Sequence, residues 1–256
     1  MPASLKHIDP DTPMGATLVA GGATFRCWAP HAKAVYVVGD FNHRIRNDAA
    51  LLTRDQQGHW RGFFPGVKDR QRYMFYVVGE GSEGLKRDPY ARELESPFPA
   101  ECLIRRTDFP WHESGYVTPP FHEFVIYQLH VGTFFTPNLP HKGGTFLDVA
   151  RKLPYLADLG VTALQLMPIQ EFQTSFSLGY NGTDYFSPEM DFAVADAELP
   201  AYVAEVNKLL DAKGLRRYHA ADLHGEMNQL KALVDLAHLH GLAVLLDVVY
   251  NHAGGD

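Results

Sequence analysis

The chain has 256 residues, 46% of them hydrophobic, which suffices for one large or two ordinary cores and excludes a generally disordered chain. Its 23 Lys and Arg against 30 Asp and Glu leave a net charge of −7, which argues against a nucleic-acid partner, since such partners select a basic face. No apolar stretch reaches the ~18 residues of a membrane helix, and the opening MPASLKHIDPDTPMG carries no signal-peptide core, so a soluble cytoplasmic protein with no membrane partner is expected.

In chain order, residues 1–107 read as β-structure. ATFRCWAP, AVYVVGDF, GHWRGFFPG and RYMFYVVG are short aromatic and branched runs set apart by Gly, Pro, Asn and Asp, the pattern of a small antiparallel sandwich. Trp28 and Trp60 fall within these runs, where core packing competes with a sugar-stacking role; the alternation around Trp28 predicts burial. Cys27 and Cys102 lack metal-ligand spacing and fit a reducing compartment. The Pro- and Gly-rich TDFPWHESGYVTPP then marks a linker over residues 108–123.

From residue 124 to 256 the period changes. FVIYQLHVGTF (Phe124 to Phe134) reads as a buried strand. Thr145 to Leu159 has helical spacing, with Pro154 predicting a break and Gly160 a stop. VTALQLMPI is a second strand, Asp222 to His240 a second helix ended by Gly241, and LAVLLDVVY a third strand. Strands alternating with helices, and nearly continuously apolar, predict parallel βαβ units. Periodicity leaves open a doubly wound sheet or the first part of an eight-stranded barrel.

Long segments follow the first two strands, and Gln170 to Ala221 is the longest. Such loops at strand C-termini carry the sites of α/β folds, so functional weight is expected on that face. It would hold His130, Glu171, the aromatic-polar run FSLGYNGTDYFSPEMDF, and Asp247, Asn251 and His252. Rings beside carboxylates and amides suit sugars, whose C–H faces stack while their hydroxyls need donors and acceptors. Plainer readings exist: His130 as a strand cap and Glu171 as a solvated loop carboxylate. Asp247, within LLDVV, is costly to bury unless it meets a partner or a polar site. His238 and His240 lie two apart on a helix and do not share a face, so they read as solvated residues with no metal between them.

DVVYNH, Asp247 to His252, resembles the first signature segment of the α-amylase superfamily, glycoside hydrolase family 13. GATFRCWAPHAKAVYVVGDFN is similar to the sandwich module that precedes the barrel in branching and debranching enzymes. VIYQLHVGTF, KLPYLADLGVTALQLMPI and LGYNGTDYFSPE resemble the first barrel strands and their loops. The resemblance implies a β-sandwich followed by the start of a (β/α)8 TIM barrel, truncated after its third strand. It implies a retaining hydrolase or transglycosylase acting on α-glucans or malto-oligosaccharides. Tyr180 would stack on the sugar at the cleavage subsite, Asp247 and His252 would line that subsite, and Asn251 would stand where many members bind a structural calcium that branching-type members commonly lack. No cofactor is otherwise implied.

Retaining cleavage needs two carboxyl groups about 5–5.5 Å apart. In the resembled family the nucleophile and acid/base follow later strands, so both are expected beyond Asp256, and Asp247 is not promoted to either role. Three barrel strands would also leave a free sheet edge. A branching enzyme is the first expectation. A maltooligosyl trehalose trehalohydrolase and a debranching or amylase activity are the alternatives, with a non-catalytic glucan-binding protein from a different class. LGYNGTDY departs from the family pattern in carrying Leu178 where a Trp often stands.

Overall fold

In a computed structural model the described residues are 1–95, 100–112, 115–137, 143–173 and 177–254, and they form two compact units. The first comprises Met1–Thr107 with Asp184–Ser187, and the second Asp108–Thr183 with Pro188–Asp256.

The first unit is antiparallel. Strands β1 (Gly15–Val19), β2 (Gly22–Trp28), β4 (Thr53–Arg54) and β5 (His59–Pro65) form a sheet in the order β1-β2-β5-β4. Strands β3 (Ala34–Gly39), β6 (Arg72–Val78) and β7 (Glu83–Lys86) form another, with β8 (Cys102–Leu103) also on β6. The first half of β2 is buried on both faces, and from Phe25 on burial alternates, with Phe25 and Cys27 buried, Arg26 half-buried and Trp28 exposed. The Phe25 ring meets Phe64 of β5 at 5.3 Å and Tyr73 of β6 at 5.2 Å, both edge to face, so one ring ties the two sheets together.

The same alternation corrects the expectation for Trp28. With Phe25 and Cys27 inward, Trp28 must point outward, and it is 62% exposed. Trp60, which pairs with Cys27, is buried and donates its indole N–H to the Ala29 carbonyl at 3.0 Å.

Beneath β6 a polar group is buried by design of its partners. Asp88 is fully buried, accepting from the Tyr73 hydroxyl at 2.6 Å and the Tyr90 amide at 2.9 Å. Burial pushes its carboxyl up to about 6 against the lowering effect of those two bonds.

The second unit is built on three parallel strands, β9 (Ile126–Leu129), β10 (Ala163–Leu166) and β13 (Ala243–Leu246), in the order β13-β10-β9. Each is shorter than the apolar run that contains it. The first run is also not strand throughout, because Val131–Phe134 turns into a single helical turn, α1, and Ile126 stays 41% exposed. The helical pattern of Thr145 to Leu159 splits into α2 (Phe146–Ala150) and α3 (Leu153–Asp158). The break falls before Pro154, which sits in the first turn of α3, where its missing N–H removes no helical bond. Thr145 and Asp148 cap α2 reciprocally, at 3.2 and 3.1 Å.

A two-stranded piece, β11 (Gln170–Phe172) with β12 (Gly182–Pro188), and the helix α4 (Leu199–Asp211) occupy the long connection, followed by α5 (Glu226–Leu239). Leu129, Leu164 and Leu166 join Phe146, Leu153, Leu156, Leu233 and Leu236 in one buried cluster, with Tyr127 and Val244 packed against it. Helices therefore cover one face of the sheet. On the other face, Ile126 and Gln128 are exposed, Gln165 and Leu245 half-buried, and the small Ala163 and Ala243 buried. A further buried knot joins distant segments: Asp235 of α5 accepts from the His112 amide at 3.0 Å and from the Tyr218 hydroxyl, and lies 2.6 Å from the His112 ring.

Candidate functional site

The register decides where the functional side chains lie. Leu129, Leu166 and Leu246 are aligned across the three strands, so all end at one level. The ladder runs one residue further, with Met167 N bonded to Leu129 O and Asp247 N to Leu166 O, both at 2.9 Å. His130, Met167 and Asp247 are thus side by side at the strand C-termini, with about 10 Å of backbone spacing from His130 to Asp247 at ~4.8 Å per strand.

His130 is half-buried, its ring edge-on to Phe192 at 5.4 Å. Burial pushes its pKa down, and a contact with the Leu178 backbone only partly opposes this, so the imidazole is neutral near pH 7. Asp247 is half-buried just past the end of β13, which resolves the cost of a charge inside LLDVV. It leaves the strand where the polar end begins.

The Tyr180 loop is held by one backbone and two side-chain hydrogen bonds. Tyr180 N bonds Ser177 O at 3.1 Å, Asn181 N bonds Ser177 Oγ at 2.9 Å, and the Gln170 side chain donates to Gly179 O at 3.3 Å. Gly179 has φ +89°, and a Cβ there would fall 2.5 Å from Pro168 O, so only glycine fits. Leu178 next to it has φ +53°, a left-handed conformation unusual for a bulky residue. Tyr180 itself is 45% exposed, its ring open to contact.

The segment after Asp247 returns to this loop, because Gly254 N donates to Gly182 O at 2.7 Å. Between those anchors, Asn251 and His252 are exposed, with Asn251 Oδ1 and His252 Nδ1 2.8 Å apart. The structure therefore brings the Tyr180 loop and the Asn251–His252 segment together, and sets His130 and Asp247 on one level of the sheet. Among these five side chains there is one carboxylate. The set can bind hydroxyls and stack a ring, but it does not contain the pair that retaining cleavage requires.

Among the described residues no group of three or more His, Cys, Asp or Glu is placed to hold a metal ion, and the Asn251 amide oxygen faces His252. The helix histidines are not simply solvated either. His240 is half-buried with Nδ1 2.8 Å from Leu236 O, and His238 stacks on Tyr116 at 4.6 Å; burial lowers the pKa of both.

Glu171 overturns its plain reading as a solvated carboxylate, since it is wholly buried. Its neighbour is Glu189, also buried, which sequence reasoning did not single out. Its only signal was an acid between Pro188 and Met190.

Residues 13–91 match carbohydrate-binding module 48, the isoamylase N-terminal domain. The resemblance to the α-amylase superfamily is borne out. The chain is 33% identical to the malto-oligosyltrehalose trehalohydrolase of Deinococcus radiodurans over 257 aligned positions, covering 99% of this chain and 35% of that protein. It is 35% identical to the 1,4-alpha-glucan branching enzyme GlgB of Lactiplantibacillus plantarum over 196 positions, covering 73% and 30%. Among solved structures, a putative alpha amylase from Salmonella typhimurium superposes with a TM-score of 0.70 at 25% identity, over 95% of this chain and 34% of that one. A GBS pullulanase, SAP, solved with maltotetraose, gives 0.71 at 22% identity, a likeness of fold alone. The chain spans about a third of the length of the curated relatives it matches. Among the described residues no helix is long and apolar enough to cross a membrane.

Proposed function

We propose that this chain belongs to a cytoplasmic α-glucan hydrolase or transglycosylase, of which residues 1–107 are the carbohydrate-binding sandwich, 108–123 the linker and 124–256 the first part of a (β/α)8 barrel. One observation carries the reading. The Gly254–Gly182 bond ties the segment that carries Asn251 and His252 to the loop that carries the open ring of Tyr180, residue types that together suit a pyranose. In this reading Tyr180 stacks on the sugar, Asp247, Asn251 and His252 bond its hydroxyls, and neutral His130 contributes a further polar edge. None of them is the nucleophile or the acid/base. Those two carboxyl groups would act about 5–5.5 Å apart on the scissile bond, one attacking the anomeric carbon and the other protonating the leaving oxygen.

Transfer of a glucan chain to a sugar hydroxyl, as in a branching enzyme, is the favoured reaction. Hydrolysis releasing trehalose is the second reading, supported by likeness to a trehalohydrolase along 99% of the chain. The test is product analysis of the native gene product on linear α-1,4-glucan and on a trehalose-capped malto-oligosaccharide. New 1,6 linkages mean branching, free trehalose means the second reading, and no turnover with retained glucan binding means a binding protein. Absence of both turnover and binding overturns the proposal.

A further inference from the structure

Glu171 and Glu189 are two buried acids, on either side of the Tyr180 loop in sequence, that the sugar site does not use. Glu171 is 0% and Glu189 2% exposed. Each reaches across to the backbone of the residue that follows the other. Glu189 Oε2 accepts from Phe172 N at 3.1 Å, while Glu171 Oε2 accepts from Met190 N at 3.0 Å, and Glu189 Oε1 accepts from Asp191 N at 3.0 Å. Each carboxyl group thus accepts an amide from the residue that follows the other acid, so the two buried carboxyl groups cross one another. Two ionised carboxylates so placed repel each other out of reach of water, and that repulsion favours keeping one proton between them.

We infer that Glu171 and Glu189 share a single proton, as a carboxylic acid bonded to a carboxylate, and that this pair positions the Tyr180 loop. Glu189 accepts two backbone amides through its two oxygens and Glu171 accepts one, so the negative charge is better held on Glu189 and the proton resides on Glu171. The groups facing Glu189 add to this. Glu171 comes from β11 and Asp191 from the following turn, both acidic, and the nearby imidazole of His130, held against Phe192 of that turn, has its pKa lowered by burial. Burial first, and then Asp191, push Glu189 up to about 7, with the Asp191 and Phe172 amides opposing; the titration belongs to the pair.

The pair reaches the sugar site through the backbone of β11. Gln170 holds Gly179 O, and Glu171 O accepts from Thr183 Oγ1 at 3.3 Å, so both ends of the Tyr180 loop hang on the residues that the acid pair fixes. Glu171 and Glu189 are positioning residues in this scheme, and the positioning half rests on the reading of Tyr180 as a sugar contact.

An acid whose pKa rises on folding keeps its proton in the folded chain after the unfolded chain has lost it. Stability is then full below the ordinary glutamate range and falls as pH climbs through neutrality. The test compares the full chain with Glu171→Gln, whose amide can donate to Glu189 with no proton to lose. Urea midpoints are measured from pH 5 to 9, with amide exchange at residues 180–183 referenced to Phe25 in the sandwich. The expected result is a midpoint that falls between pH ~5 and ~7 and then levels off, with a larger fall in the native chain than in the variant, since Asp88 titrates in both. Exchange at 180–183 should rise at least tenfold in the native chain alone. Parallel curves overturn the inference. Should Glu171→Gln not fold, carboxyl-labelled glutamate NMR of the native chain decides. A carboxyl resonance titrating near neutrality supports the shared proton, and all glutamates titrating below about pH 5 overturn it. Maltotetraose binding is followed separately, so failure to bind any glucan sinks the sugar reading without touching the acid pair.

Discussion

The two units solve the same problem with different completeness. In the sandwich, each sheet is the other's cover, and a single ring, Phe25, is enough to tie them. In the parallel unit, helices cover one face of β9, β10 and β13, while Ile126 and Gln128 on the other stay exposed and Leu246 is 53% exposed at an end strand. Antiparallel sheets pair off into a closed core with short hairpins, whereas a parallel sheet needs cover on both faces or closure into a barrel. The lesson is that position in the sheet sets burial more than apolarity does: Ala163 and Ala243, aligned with exposed Ile126, are buried, while Leu246, aligned with buried Leu129 and Leu166, is not. Ile126 is as apolar as Leu164, yet only Leu164 is buried.

Substitutions can break that comparison. Phe25→Ala should cost about 3–5 kcal/mol, the range for a large aromatic removed from a tight core, read as a lowered urea midpoint. Leu164→Ala on the covered face should cost about 2–5 kcal/mol, but Ile126→Ala on the uncovered face of the same sheet should stay within about 0.5 kcal/mol. Equal losses at Leu164 and Ile126 would mean that both faces are covered in solution.

The buried acids sharpen the contrast next. Asp88, pushed up to about 6, stabilises the sandwich fully below pH ~4, and that contribution is lost as pH rises through 6. Roughly 2–3 kcal/mol should disappear across that window in a denaturation series, and Asp88→Asn should flatten it. In the parallel unit Asp235 is held by donors, so Asp235→Ala should destabilise by about 3 kcal/mol by stranding the Tyr218 hydroxyl and the His112 amide. The smallest effect belongs to Tyr180→Ala. An exposed ring leaves stability within about 0.5 kcal/mol, while titration calorimetry with maltotetraose should show roughly three- to tenfold weaker binding, the share of one stacked ring.

Much of this was legible in the amino-acid order. The β runs, the parallel strands and the Gly160 and Gly241 stops followed from period and punctuation, and both glycines have positive φ. Boundaries were less so, because apolar runs such as Phe124 to Phe134 continue past the point where pairing ends and α1 begins. The helix α4 went unread within a segment dominated by its aromatic-polar beginning. Trp28 was misplaced by one step of alternation, which in a strand exchanges inside for outside. The grouping of Tyr180 with Asn251 and His252 depends on Gly254 meeting Gly182, a long-range backbone contact that neither segment announces. Glu171 looked solvated because its partner, Glu189, stands 18 residues away by subtraction of their numbers.

That backbone contact also bears on how a ligand would be met. The segment bearing Asn251 and His252 is moored at both ends, at Asp247 to Leu166 and at Gly254 to Gly182, and Gly254 cannot be replaced without a Cβ arriving 2.5 Å from Asn181 O. Its freedom is surrendered when the chain folds and not when a sugar arrives. On the proposed reading, binding would begin with a short loop already gathered, and the entropy that a dangling tail would forfeit on each encounter would have been spent beforehand.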